Sequence, residues 1–141
     1  MQPKSTFNKL DRICKMSEME IITDADVIEE FLAFNQLQNS LQEKGLPALR
    51  RLVLLAETQS SGQVKAIALI LAGLYNGDSY PFPLTTLRGI DINIFDDILA
   101  VIRMDSLACK QEIHTYFENG DRRFHAIFEN FQIKAFERKN S

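Results

Sequence analysis

Ala66-Ile67-Ala68-Leu69-Ile70-Leu71-Ala72-Gly73-Leu74-Tyr75 contains no charged or amide side chain. Ser60-Ser61-Gly62 precedes it, a break able to cap a helix, and Asn76-Gly77 follows as a strong stop. The pattern predicts a helix over about 62–76. A helix that is apolar on nearly every side must be enclosed by other elements of its own protein. The run is well short of the ~20 apolar residues that a bilayer span requires. Ala66, Ala68, Ala72 and Gly73 are small, so neighbouring helices can approach closely.

A second apolar stretch, Ile94 to Ile102, follows Asp91, whose side chain suits a helix N-cap. In a helix over 92–105, Asn93, Asp96, Asp97, Ala100 and Arg103 fall within an arc of about 120°, and Ile94, Phe95, Ile98, Leu99, Val101 and Ile102 take the remainder. This predicts a second near-central helix.

The other elements are placed around these two. A helix starts near Thr23 or Asp24, with Asp26, Glu29 and Glu30 where the helix dipole favours negative charge. Val27, Phe31, Phe34, Leu37 and Leu41 form one stripe, widened by Ile28 and Leu32. Lys44-Gly45 is expected to end this helix and Pro47 to open the next, with Leu49, Leu52, Val53 and Ala56 inward and Arg50, Arg51 and Glu57 in water. Pro81 and Pro83 mark a loop, and Leu84 to Arg88 form a single turn ending at Gly89. Residues 106–117 are ambiguous, since Glu112 to Phe117 suits either an extended segment or a helical turn, and a short helix is the preferred reading. Asn119-Gly120-Asp121 gives a turn and a cap, and Phe124, Ile127, Phe128 and Phe131 line the final helix. Phe7, Leu10 and Cys14 have helical spacing, and Ile21-Ile22 suits a brief extended segment. The expected architecture is all-α: a compact bundle of four to five main helices with short connections. It has a flexible N-terminal arm (1–22), a single helical domain (23–136) and a frayed tail (137–141).

The whole chain of 141 residues carries a net charge of −3, and no segment has the dense Lys/Arg field that nonspecific phosphate binding needs. Two cysteines, Cys14 and Cys109, lie far apart in the sequence, with no CxxC. Met1-Gln2-Pro3-Lys4-Ser5 lacks the apolar core of a secretory leader. A cytoplasmic protein with reduced thiols is expected.

Several groups of residues remain as candidate sites. Arg88, Asp91, Asp96, Asp97 and Arg103 form the densest charge cluster, read as structural: a cap, a solvated stripe, and Arg88 reaching Asp91 or Asp96. Arg122, Arg123, Lys134 and Arg138 form a basic patch, and Tyr116, Phe117 and His125 interleave aromatics with it, the basis of a nucleic-acid alternative. Asp96, Asp97, His114 and Glu118 are the residues of a metal-dependent enzyme alternative, although His114/Glu118 and His125/Glu129 are separate four-residue pairs with no HExxH. Tyr80-Pro81-Phe82-Pro83 puts two aromatics on a loop, and Phe31 and Phe34 sit on the 24–44 helix. These four aromatics are the candidate partner contacts. No GxSxG, GxGxxG or GxxxxGK[ST] occurs, so no catalytic residue, cofactor or metal is assigned.

The string Leu84-Thr85-Thr86-Leu87-Arg88-Gly89-Ile90-Asp91, followed by Phe95-Asp96-Asp97-Ile98-Leu99-Ala100-Val101-Ile102-Arg103-Met104-Asp105, resembles a family of short uncharacterised bacterial proteins. That family is grouped as a domain of unknown function and is often carried on plasmids and integrative conjugative elements. The resemblance covers roughly Leu46 to Phe131. It implies a cytoplasmic accessory protein of a mobile element and transfers no catalytic residue. The leading expectation is therefore a non-enzymatic interaction module that binds a protein, with a homodimer through residues 24–44 as one form.

Overall fold

The computed structural model describes residues 21–137. The expected arm and tail lie outside the described residues, apart from Ile21, Ile22 and Glu137. Among the described residues the chain is all-α, with four α-helices joined by loops and short 3-10 or π turns. It divides into two compact units, residues 1–36 and 37–141.

In the first unit Thr23 starts helix α1 (Asp24–Thr58) with a reciprocal cap. Its hydroxyl accepts from the Asp26 N–H at 3.2 Å and donates to Asp26 Oδ2 at 2.7 Å, satisfying a backbone donor that the first turn leaves open.

The second unit holds the core. Leu41, Ala48, Leu49, Leu52, Val53 and Ala56 of α1 are buried together with most of α2 (Gly62–Tyr75), where Val64, Ile67, Ala68, Leu71 and Ala72 have almost no exposure. Ile98 and Val101 of α3 (Ile92–Arg103) join them, as do Met104, Ile113 and Phe124, Ile127 and Phe128 of α4 (Gly120–Asn130). No polar or charged residue is buried among the described residues.

Local chemistry explains most boundaries. The Ser61 hydroxyl accepts from the Val64 N–H, and the Asp91 carboxylate accepts from the Asn93 N–H at 2.9 Å. Gln63 Oε1 takes the Asp91 N–H at 2.8 Å, which ties the start of α3 to the start of α2. A π turn, Met104–Ala108, extends α3 and closes on Cys109 in the left-handed region (φ 46°), whose N–H bonds the Met104 carbonyl. Residues 113–116 form a 3-10 turn, in keeping with the short helix expected there.

Two expectations are corrected. Gly45-Leu46-Pro47 does not separate two helices, since α1 runs through it unbroken. The glycine serves packing instead: a Cβ at position 45 would lie 2.5 Å from Met104 Cβ, so its absence lets α1 touch the end of α3. Burial of Leu41, Ala48 and Leu49 around it offsets the missing Pro47 N–H. Helix α3 is also less central than its apolar content suggests. Ile98 and Val101 are buried, while Ile92 and Leu99 are 71% and 40% exposed.

Candidate functional site

The charge cluster read from the sequence is dispersed by the fold. Asp97 faces α1, where Arg51 binds it in a fork, Nε to Oδ2 at 2.9 Å and Nη2 to Oδ1 at 2.8 Å. Asp91 is committed to capping, and Arg88, Asp96 and Arg103 form no ion pair with one another. The basic patch is likewise divided. Arg123 binds Glu57 of α1 in a second fork, at 3.0 and 2.7 Å, and lies over the Phe117 ring at 5.0 Å. Each carboxylate raises the pKa of its arginine through the hydrogen bond it accepts, so both guanidiniums stay charged. Arg122 and Lys134 are exposed and Arg138 lies outside the described residues. The basic patch thus loses Arg123 to a structural pair.

Tyr80 and Phe82 pack against the core, with Tyr80 5.1 Å from the Phe128 ring. Neither stands clear of the surface as an anchor. Among the described residues no three of His, Cys, Asp and Glu converge as a group that could hold an ion.

Sequence reasoning missed a polar constellation that the fold assembles. Tyr75, at the end of α2, donates its hydroxyl to Asp121 in the first turn of α4, with His125 Nε2 3.2 Å away. The Asp121 bond, then burial, pushes the Tyr75 hydroxyl up to about 12. It is thus a firm donor, unsuited to act as a base. His114 stacks edge-on against Tyr75 at 5.0 Å, and its buried Nδ1 finds no hydrogen-bond partner among the described residues. Beside this lies an open cleft of about 480 Å³ lined in part by Asn76, Asp105, Cys109 and Glu112. Burial, then Glu112, pushes the Asp105 carboxyl above its ordinary range. The cluster fastens α2 to α4. A tyrosine ending an apolar run and an acid opening the last helix were the available signals, but 46 positions separate them.

The first unit differs in kind. Val27, Ile28, Phe31, Leu32 and Phe34 of α1 are each at least half exposed, Phe31 the most at 62%. On a 3.6-residue wheel they share one face of about 160°, and Asp26, Glu29 and Glu30 hold the other. Taking about 200 Å² for a large apolar side chain, this face leaves roughly 500 Å² bare, near the upper limit of about 600 Å² for a typical monomer. Phe31 and Phe34, read as partner contacts, both lie on it.

Residues 46–132 match the family described as "Family of unknown function (DUF7673)", and the chain belongs to that family. The matched region lies within the second unit and leaves the exposed face of α1 outside it. Comparison with the curated proteins and with the solved structures gives no match. No helix among the described residues is long and apolar enough to cross a membrane.

Proposed function

We propose that this is a non-enzymatic accessory protein of a bacterial mobile element, working in the cytoplasm by binding a protein through the first half of α1. The supporting observation is the apolar face of Val27, Ile28, Phe31, Leu32 and Phe34, exposed beside an acidic one. Exposing that much apolar side chain is costly unless a partner covers it. The mobile-element setting rests on the family resemblance of residues 84–105. In this reading the family-matched unit is the scaffold and α1 carries the contact. The partner presents an apolar helix of its own, and a second copy of this chain is the simplest protein that does so.

Light scattering over a concentration series tests the homodimer form. Mass should rise with concentration in the unaltered chain and stay at that of one chain in Phe31→Asp with Phe34→Asp. A monomer at every concentration, unchanged by the two substitutions, removes it.

A further inference from the structure

The exposed face of α1 fits an occupant that this chain encodes itself. We propose that residues 4–16 dock antiparallel along that face as an amphipathic helix, with Cys14 on Val27, Leu10 on Phe31 and Phe7 on Phe34, and so compete with the partner for it. The competition rests on the reading of this face as a docking surface. The docking itself does not.

Three observations carry the inference. The spacings match: Phe7, Leu10 and Cys14 advance by three and four, and Phe34, Phe31 and Val27 retreat by three and four. In antiparallel helices such residues stay level along the whole contact. The charges match as well. Residues 1–16 hold Lys4, Lys9, Arg12 and Lys15 against Asp11 alone, whereas residues 17–30 hold Glu18, Glu20, Asp24, Asp26, Glu29 and Glu30 with no Lys or Arg. The same register sets Arg12 level with Glu29 and Lys15 level with Asp26, and neither acid is without a partner. A second copy of α1 would bring no such basic complement.

The third observation is where α1 begins. The Thr23 cap fixes its start, so residues 17–22 are left to connect the two helices, a length within the ~2–8 residues common between packed helices. Residues 4–16 as a helix would span about 20 Å, enough to run from Val27 beyond Phe34. Tethered so closely, the segment acts at an effective concentration of order mM, and a free partner at μM must displace it. Self-association of the isolated chain is therefore weakened, and its rise in mass is displaced to higher concentration.

The register places a natural thiol where it can be trapped. In full-length protein with Cys109→Ser, Val27→Cys should form an intramolecular disulfide with Cys14 when oxidised glutathione accepts the electrons. The linked peptides are read by mass spectrometry in protein of single-chain mass. Glu30→Cys, on the acidic side of α1, should close about tenfold or more slowly. A disulfide from Cys14 of one chain to the thiol introduced at position 27 of another assigns the face to a second copy and overturns the docking. Equal rates from positions 27 and 30, or no disulfide from 27, overturn it too.

Leu10→Asp in the otherwise unaltered full chain tests the competition, and should strengthen the self-association read by light scattering. If the disulfide forms but Leu10→Asp stays monomeric, the docking stands and the homodimer form of the partner reading falls. If Leu10→Asp dimerises but no disulfide forms, the docking falls and the partner reading stands.

Discussion

The two halves of α1 carry similar amphipathic sequence and meet different ends. From Leu41 to Ala56 the apolar side chains have at most 6% exposure at Leu41, Leu49, Leu52, Val53 and Ala56, whereas from Val27 to Phe34 the apolar face is at least half exposed. Periodicity alone does not separate these cases, because it reports that a face exists and is silent on what covers it. The second half lies largely within the family-matched region and the first half outside it. One part of a single helix thus builds the fold, and the other is available for a contact the fold does not need.

The largest expected effect tests that division directly. Leu49→Ala empties a site with no exposure and should lower stability by about 2–5 kcal/mol in urea unfolding. Phe31→Ala, a larger truncation, should cost no more than about 0.5 kcal/mol when measured in the Leu10→Asp chain, as exposed substitutions usually do. A comparable loss at Phe31 would mean that the first half of α1 is already buried in the folded protein, and the contrast would collapse.

Gly45→Ala gives the next largest effect. On helix propensity alone alanine should stabilise α1 by about 1 kcal/mol. The added Cβ would fall 2.5 Å from Met104 Cβ and 2.6 Å from its sulfur, so displacement of α3 should outweigh that gain. The net expectation is a loss of about 1–3 kcal/mol, measured by the same unfolding curves. A stabilised Gly45→Ala would show that glycine stands there for some other reason than close approach.

This position also shows what the sequence could and could not disclose. The enclosed α2 was legible because ten consecutive residues lack any charged or amide side chain, and the caps at Ser61 and Asp91 because each acts within three residues of itself. The continuity of α1 was hidden. Gly45 and Pro47 are ordinary stop and start signals, and the contact that overrides them comes from Met104, far along the chain. The pairings Arg51–Asp97, Glu57–Arg123 and Tyr75–Asp121 were hidden for the same reason. Surface charge carries no periodic signature, so its partner is known only once the helices are placed. Of the candidate surface, Phe31 and Phe34 were legible as one stripe, but their exposure was not.

The two forks that hold the second half of α1 to α3 and α4 rank third. In a double-mutant cycle Glu57→Ala and Arg123→Ala should couple by about 0.5–1 kcal/mol, since the pair is bidentate but partly in water. Its coupling should shrink in high salt. Phe31, on the exposed half of the same helix, acts through apolar area and carries no charge, so salt should not change the stability cost of Phe31→Ala.

The smallest effect depends on pH, and its sign follows from Asp105. Burial, then Glu112, makes its carboxyl hold its proton more tightly in the folded protein than in the unfolded chain. The folded state is therefore favoured where Asp105 is protonated, below the unfolded carboxylate range. That advantage is lost as pH rises through the raised folded value. At neutral pH the ionised side chain is a net cost, which Asp105→Asn removes. The variant should melt slightly higher than the unaltered protein at pH 7, by roughly a few tenths of a kcal/mol once solvent screening is discounted. The difference should fade as the pH is lowered toward 4. Asp105 lies one residue beyond Met104, the side chain that Gly45 admits, and lines the cleft at the end of α2 together with Tyr75 and Glu112. A melting difference that stayed constant with pH would assign the gain to the local turn, leaving burial at this end of α3 without thermodynamic support.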